Sequence, residues 1–276
     1  MNSEAALRAY VQGGHRTVQG WLDPTAVATI TLLSGQQGKL GISGGMSEIG
    51  IHHGRLFILL HLLRRGNESS AAYDLFEMQD DNVDASGMGD KEIFLDNLRK
   101  HGCETERVVV KSRNSLAMTP AEVRADAGPV RLFSVDGGHT ADITASDLAL
   151  AEASLCPGGI VILDDYFNES WPGVSEGASR YLSSGASKLV PVAIGGNKFM
   201  LTNSGELAAS YREALRTLPD SHVVTDQIVF GMPVVVVRAN VVTVKDRLAN
   251  TGLWRQIKGT AAGRALKSAA LRVLSP

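Results

Sequence analysis

Residues 132–166 constrain the fold of this chain more than any other stretch. Two apolar runs, residues 130–135 and 159–163, each end in aspartate. Between them, residues 140–155 carry apolar side chains at the spacing of one helix face. The order predicts strand, helix and strand. Because a crossover helix of this kind joins parallel strands, the stretch indicates an α/β fold with a parallel sheet.

Three aspartates stand at the ends of these two strands. Asp136 follows the first strand, and Asp164 and Asp165 follow the second. The carboxyl ends of neighbouring parallel strands share one sheet edge, where open α/β sheets bind ligands. Three carboxylates there repel one another, and their oxygens suit Mg²⁺, Mn²⁺ or Ca²⁺. The pattern predicts a divalent metal site, with helix capping or solvation of each acid as the alternative.

One histidine accompanies the predicted metal ligands. His139 lies three residues after Asp136 and therefore beside the same sheet edge. Since an imidazole titrates near neutral pH, His139 is a candidate general base.

A glycine turn is predicted near the start of the sheet. Residues 44–54, GGMSEIGIHHG, indicate a short strand that ends near Glu48, followed by Gly50 and Gly54 before a helix. Glycine lets a backbone approach a ligand closely, and a helix N-terminus adds N–H donors. The spacing E-x-G-x-x-x-G matches neither the dinucleotide fingerprint G-x-G-x-x-G nor a Walker A loop.

Further candidate ligand-binding residues follow the second and third strands. Asp74 lies within the predicted strand 71–77, and an acid in this position binds ribose hydroxyls in many nucleotide-binding domains. The polar residues 78–90 are predicted to form a solvated loop or a lid. The third strand is expected to end near Asn114 and Ser115.

Aromatic residues are scarce, at 5% of the chain, yet several follow Asp165. Tyr166 and Trp171, with Asn168 between them, predict a flat acceptor-binding surface that offers hydrogen bonds. Core packing is the alternative interpretation.

The 276 residues suggest one main α/β domain with extensions. We expect a helical N-terminal extension at residues 1–40, the main domain at residues 41–240 and a basic helical tail at residues 241–276. The N-terminal segment could cover the ligand site, form a dimer contact or pack on the sheet edge. The tail could dock on a protein surface or contact a membrane or an anionic glycan.

Composition excludes several classes of function. A net charge of −2 gives no basic signature for nucleic-acid binding. No apolar run approaches the 18 residues of a transmembrane helix, and no signal peptide is visible. Two cysteines without a pattern favour a reducing compartment, so a cytoplasmic protein is expected.

The order of these features resembles the class I S-adenosylmethionine-dependent methyltransferases. The turn EIGIHHG resembles their E-x-G-x-x-x-G motif, and the predicted hairpin at residues 189–202 resembles their antiparallel seventh strand. Residues 135–166, with SGMGDKEIFLDNL and WPGVSEG, resemble the bacterial metal-dependent O-methyltransferases of antibiotic sugars and polysaccharides, of the macrolide-sugar and mycobacterial methylmannoside type. The resemblance covers about residues 40–204.

This resemblance implies a Rossmann-like, doubly wound sheet of seven strands, mostly parallel with an antiparallel terminal strand. It implies that Gly50 and Gly54 cradle the methionine part of S-adenosylmethionine, that Glu48 supports them and that Asp74 binds the ribose. Asn114 and Ser115 correspond to an Asp-Ser pair that lies near the adenine in this family. Asn114 departs from the pattern, because the family has aspartate at that position.

The resemblance also assigns the catalytic centre. Asp136, Asp164 and Asp165 correspond to the metal ligands, although position 164 is often glutamate in the antibiotic-sugar enzymes. His139 corresponds to the catalytic base, and Asp136 shares the catalytic site with it. Tyr166, Asn168 and Trp171 remain the candidate substrate contacts.

The expected function is therefore transfer of a methyl group from S-adenosylmethionine, with Mg²⁺ or Mn²⁺, to a sugar hydroxyl of a glycan or glycosylated metabolite. The alternatives are a catechol-type O-methyltransferase, an NAD-dependent dehydrogenase and a non-catalytic cofactor- or glycan-binding module. The absence of a G-x-G-x-x-G motif argues against the dehydrogenase. The presence of His139 and of all three aspartates argues against a non-catalytic binding module. A small-molecule or oligosaccharide acceptor and a homodimer or larger homo-oligomer are expected partners.

Overall fold

The computed structural model of the protein describes residues 3–240. Its helices are α1 (Ser3–Gln12), α2 (Pro24–Lys39), α3 (Arg55–Leu62), α4 (Lys91–Lys100), α5 (Pro120–Ala127), α6 (Ala141–Ser154), α7 (Pro172–Ser183) and α8 (Gly205–Leu215). Its strands are β1 (Gly45–Ile49), β2 (Ser70–Asp74), β3 (Val108–Ser112), β4 (Val130–Val135), β5 (Leu155–Leu163), β6 (Val190–Gly195), β7 (Lys198–Thr202), β8 (His222–Val229) and β9 (Met232–Ala239).

Within residues 3–240, the strands form one sheet in the order β3-β2-β1-β4-β5-β7-β6-β9-β8. The five strands from β3 to β5 are parallel, and β7 pairs antiparallel with both β5 and β6. The predicted Rossmann-like α/β class is confirmed. The predicted number of seven strands is too low, because β9 pairs with β6 and β8 extends the sheet beyond it.

Two strand assignments from the sequence need correction. The second strand ends at Asp74 and not at residue 77, since Phe76 adopts a positive φ of 45° that an extended strand does not allow. β8 escaped prediction because its residues are half-buried or exposed, so its sequence HVVTDQIV lacks a clear apolar run.

Helices cover both faces of the sheet. One face packs against α1, α2, α3, α4 and α8, and the other packs against α5, α6 and α7. Burial on two faces explains why every residue of β1, β2 and β4 is buried. Tyr10 of α1 donates a hydrogen bond to the carbonyl of Arg55 at 2.7 Å, which joins the N-terminal helices to α3. The predicted basic tail at residues 241–276 lies outside the described residues.

Among residues 3–240, the structure contains no helix with the length and apolar character needed to cross a membrane.

The ends of β1 and β4 touch through their backbones. The N–H of Asp136 donates to the carbonyl of Ile49 at 3.0 Å. Gly50 follows Ile49 with a φ of 81°, and a Cβ atom at this position would lie 1.7 Å from the carbonyl oxygen of Asp136. Glycine is therefore required here by both conformation and space.

We expect Gly50→Ala to destabilise the protein far more than Gly41→Ala. Both glycines have positive φ, 81° and 71°, so alanine costs about 1–2 kcal/mol at each. At Gly41 an added Cβ meets no heavy atom within 4 Å, whereas at Gly50 it collides with backbone. Urea unfolding should show that Gly50→Ala lowers the free energy of unfolding by about 1–3 kcal/mol more than Gly41→Ala does. Equal losses in the two variants would contradict the proposed crowding.

Candidate active site

A cavity of about 910 Å³ opens at the carboxyl ends of the parallel strands. Most residues singled out from the sequence line it: Gly50, Asp74, Asn114, Ser115, Asp136, His139, Asp164, Asp165, Asn168 and Trp171. Glu48, Gly54 and Tyr166 are not part of its wall. The sheet order thus brings residues from five strand ends into one site.

Asp74 organises the glycine turn. Its carboxylate accepts hydrogen bonds from the backbone N–H groups of Ile51 at 2.6 Å, His52 at 2.8 Å and Phe76 at 2.9 Å. These bonds fix the loop after β1 against the loop after β2. Because each carboxylate oxygen can accept more than one bond, Asp74 retains capacity for the ribose hydroxyls that the sequence assigns to it.

Glu48 and Gly54 lie beneath the cavity. Glu48 is buried, and burial raises the pKa of its carboxyl to about 8, although the charge of Lys198 opposes this shift. Gly54 precedes α3, and a Cβ there would lie 2.5 Å from the ring of Phe94. In this structure Gly54 therefore serves the packing of α3 on α4.

Asn114 and Ser115 form the far side of the cavity. The side-chain oxygen of Asn114 accepts from the N–H of Leu116 at 3.0 Å, which caps the turn Ser115–Ala117. Its amide group donates to Asp81 at 3.3 Å. The asparagine that departs from the family pattern thus holds the loop after β3 to the loop after β2.

Asp136, His139 and Asp165 converge at the opposite end of the cavity. Each offers one ligand atom, and these atoms all lie within 4.8 Å of one another. Burial raises the pKa of Asp136 well above its usual range, and the charges of Asp164 and Asp165 raise it further, against the effect of Lys198. The two carboxylates of this cluster lie together with little positive charge beside them. With the imidazole, they fit a divalent cation that prefers oxygen ligands.

Asp164 stands outside this cluster because it has a different partner. Lys198, the first residue of β7, donates a hydrogen bond from Nζ to the Asp164 carboxylate. The Lys198 side chain is only 2% exposed and that of Asp164 is 9% exposed, so this ion pair is shielded from water. To act as the third predicted metal ligand, Asp164 would have to exchange Lys198 for the cation.

His139 is held from three sides. Its Nδ1 lies 2.8 Å from Oδ2 of Asp84, and its Nε2 lies 3.3 Å from Oδ2 of Asp165. Its ring stacks on Trp171 with 4.2 Å between centroids and 16° between planes. Burial alone would lower the pKa of His139, but the hydrogen bonds to Asp165 and Asp84 outweigh it and raise that pKa.

The three predicted substrate contacts are placed differently. Trp171 and Asn168 line the cavity, and Asn168 donates from its amide to Asp165 at 3.0 Å. Tyr166 is 7% exposed and packs against Phe199 at 4.7 Å between centroids, so its ring faces the core and not an acceptor. Trp21, which the sequence did not single out, lines the cavity while 79% exposed.

The sequence interpretation also missed Asp84 and Lys198. Asp84 lies within the polar loop that was expected to be solvated or a lid. Lys198 is the first residue of the apolar strand KFMLT. A lysine in a buried strand indicates a buried anionic partner.

We expect a large coupling energy between Lys198 and Asp164. Lys198→Met leaves the buried carboxylate of Asp164 without its partner and should lower the free energy of unfolding by about 3–5 kcal/mol. The double variant that also carries Asp164→Asn should recover most of that stability. The control is the same double-mutant cycle on the Lys111–Asp126 pair, whose lysine is 43% exposed. Its coupling energy should stay below about 1 kcal/mol. Urea unfolding of both cycles measures this. Equal coupling in the two pairs would show that burial does not strengthen the Lys198 contact.

Comparison with known proteins finds one family match and similar solved structures. Residues 47–166 match a family described as "Methyltransferase domain". The structure is similar to that of the O-methyltransferase NovP, with a TM-score of 0.60 and 14% identity over 73% of this chain and 99% of that protein. It is also similar to an O-methyltransferase from Bacillus cereus in complex with SAH, with a TM-score of 0.50 and 16% identity over 72% of this chain and 90% of that protein.

No curated protein matches the chain significantly in sequence. At these identities the two solved structures establish a shared fold, and the family match covers less than half of the chain. Residues 47–166 therefore match a methyltransferase domain, and the chain shares the fold of these two O-methyltransferases, in agreement with the resemblance seen in its sequence motifs.

Proposed function

We propose that this protein is an S-adenosylmethionine-dependent O-methyltransferase that uses Mg²⁺ or Mn²⁺ and methylates a sugar hydroxyl of a glycan or glycosylated metabolite. The observation that carries the proposal is the convergence of Asp136, His139 and Asp165 in the wall of the cavity. On the sequence grounds given above, the proposal includes a cytoplasmic location and homo-oligomeric assembly.

The cofactor is proposed to lie along the glycine turn. The methionine part would lie near Gly50, the ribose near Asp74 and the adenine near Asn114 and Ser115, all of which line the cavity. A volume of about 910 Å³ is at the upper end of the range for ligand pockets, which leaves space for an acceptor beside the cofactor.

Transfer to oxygen is supported by the acid–base groups at the other end of the cavity. The two proteins with the same fold are O-methyltransferases by name. In the proposed reaction the acceptor oxygen forms a bond to the methyl carbon while the carbon–sulfur bond breaks and its electron pair remains on sulfur. The hydroxyl proton passes to Nε2 of His139. Positioning of the two reactants supplies much of the rate of such a displacement.

Asp136 and Asp165 are the residues proposed to hold the cation. A cation bound there would orient the acceptor hydroxyl and lower its pKa. Asn168 and Asn197 both donate hydrogen bonds to Oδ1 of Asp165, which fixes this carboxylate toward the cluster. Lys198 already pairs with Asp164, which leaves the carboxyl groups of Asp136 and Asp165 to bind a cation.

A sugar hydroxyl is preferred over a catechol for a chemical reason. A phenol bound to a cation ionises readily, whereas an alcohol needs a dedicated base as well. His139 is the residue that we propose as this base, and Trp171 beside it is an aromatic side chain of the kind that binds sugar rings. Asn168 lines the same part of the cavity and can bond to sugar hydroxyls.

The metal is tested by removal and by direct binding. Turnover should cease in EDTA and return with Mg²⁺ or Mn²⁺, and Asp136→Asn and Asp165→Asn should abolish it while remaining folded. Mn²⁺ titration followed by electron paramagnetic resonance should show one bound ion that both variants lose. Asp142→Asn, at an exposed position on α6, is the control and should bind normally. Full turnover in EDTA would overturn the metal requirement.

The acceptor is tested with labelled S-adenosylmethionine against catechols and against mannosides, rhamnosides and macrolide glycosides. We expect methylation of a glycoside, and a fall of about 10²–10⁴-fold in turnover for His139→Ala with S-adenosylhomocysteine binding unchanged. His222→Ala, on β8 and outside the cavity wall, should retain the parent rate. Efficient methylation of a catechol with no glycoside accepted would reject the sugar assignment.

A further inference from the structure

We propose that Asp84 is the positioning residue of His139, so that the loop between β2 and α4 completes the active site. This inference rests on the proposed function, because it assigns a task to Asp84 through the base of that reaction. Neither the family match nor the sequence motifs assign any role to this residue.

One carboxylate oxygen of Asp84 makes two contacts with His139. Oδ2 accepts a hydrogen bond from the backbone N–H of His139 at 2.7 Å and lies 2.8 Å from its ring Nδ1. A backbone bond and a ring bond at the same acceptor fix both the position of the residue and the rotation of its imidazole. Residues 84 and 139 are separated by 55 positions along the chain, so this contact joins two loops of the site.

The carboxylate determines which ring nitrogen carries the proton. An ionised carboxylate only accepts hydrogen bonds, so Nδ1 carries a proton directed to Asp84, and only Nε2 is left to exchange a proton with an acceptor. Nε2 points to the acid cluster, 3.3 Å from Oδ2 of Asp165. The nitrogen that is proposed to take the proton therefore lies beside the place where the acceptor hydroxyl is proposed to bind.

Asp84 is itself fixed by its own turn. Its Oδ1 accepts from the hydroxyl of Ser86 at 2.6 Å and from the N–H of Ser86 at 3.1 Å. The amide of Asn82 donates to the carbonyl of Ser86 at 2.7 Å and closes the turn. Both oxygens of the carboxylate are thus engaged, one in holding the turn and the other in holding His139.

Trp171 restrains the imidazole in the remaining direction. Its ring is stacked on that of His139, at 16° between the two planes. Asp84 acts in the plane of the imidazole and Trp171 on its face, so the ring has little freedom to rotate. During methyl transfer the proton from the acceptor reaches Nε2, Asp84 stays ionised, and the Nδ1–H bond stabilises the imidazolium that forms.

The experiment separates positioning from a purely structural anchor. Asp84→Asn preserves the shape and keeps an oxygen for the backbone N–H, but it removes the charge opposite Nδ1. We expect kcat to fall by about 10–10²-fold with KM, S-adenosylhomocysteine binding and melting temperature unchanged. Asp80→Asn is the matched control, since Asp80 is exposed in the same loop and does not line the cavity.

The decisive readout is the combination with His139→Ala. If Asp84 acts only through His139, then Asp84→Asn should produce no further loss in the His139→Ala background. Long-range ¹⁵N NMR of the imidazole should show Nδ1–H in the parent and a mixture of tautomers in Asp84→Asn. Additive losses, or an unchanged tautomer and unchanged kcat in Asp84→Asn, would overturn the inference.

The same data distinguish this failure from failure of the proposed function. Absence of turnover on any acceptor by the parent protein overturns the proposed function and this inference with it. Parent turnover that Asp84→Asn leaves intact overturns the inference alone.

Discussion

The crowding of carboxylates at one sheet edge is the constraint on which the site depends. Parallel pairing brings Glu48, Asp136 and Asp164 to one edge of the sheet, near the ends of β1, β4 and β5, whose neighbours lie about 5 Å apart, with Asp165 next in sequence. Lys198 compensates one of these charges, and burial raises the pKa of Glu48 to about 8. Lys198 thus compensates only one of the crowded carboxylates, and a divalent cation bound there would favour the ionised forms of the others.

The glycine turn is in direct contact with the end of β4, where the acid cluster begins. Gly50 leaves no space for a side chain beside the carbonyl of Asp136, and Asp74 holds the rest of the turn through three backbone N–H groups. A displacement of the turn would therefore displace the end of β4. These contacts tie the proposed cofactor position to the proposed acceptor position, and an in-line displacement depends on the relative position of its two reactants.

The sequence predicts this fold well where apolar runs end in functional residues, and less well where contacts are distant in sequence. The end of β4 and the start of α6 were readable because periodicity changes there. The pairs Asp84–His139 and Asp164–Lys198 depend on tertiary packing that no local pattern encodes. Tyr166 follows Asp165, which has a φ of 56°, and its side chain is buried, a placement that the local sequence pattern does not encode.

The position of Asp84 also affects which of two roles His139 can take, general base or metal ligand. The ring could serve as a base for the acceptor or as a third ligand beside Asp136 and Asp165, and each task needs an unprotonated Nε2. Because Asp84 occupies Nδ1, the ring has one lone pair to offer and can perform only one of these tasks at a time. Asn168 and Asn197 hold Asp165 independently of His139, so the cluster does not need the imidazole for its geometry. The contacts therefore favour a cation held by carboxylates and an imidazole left to accept the proton.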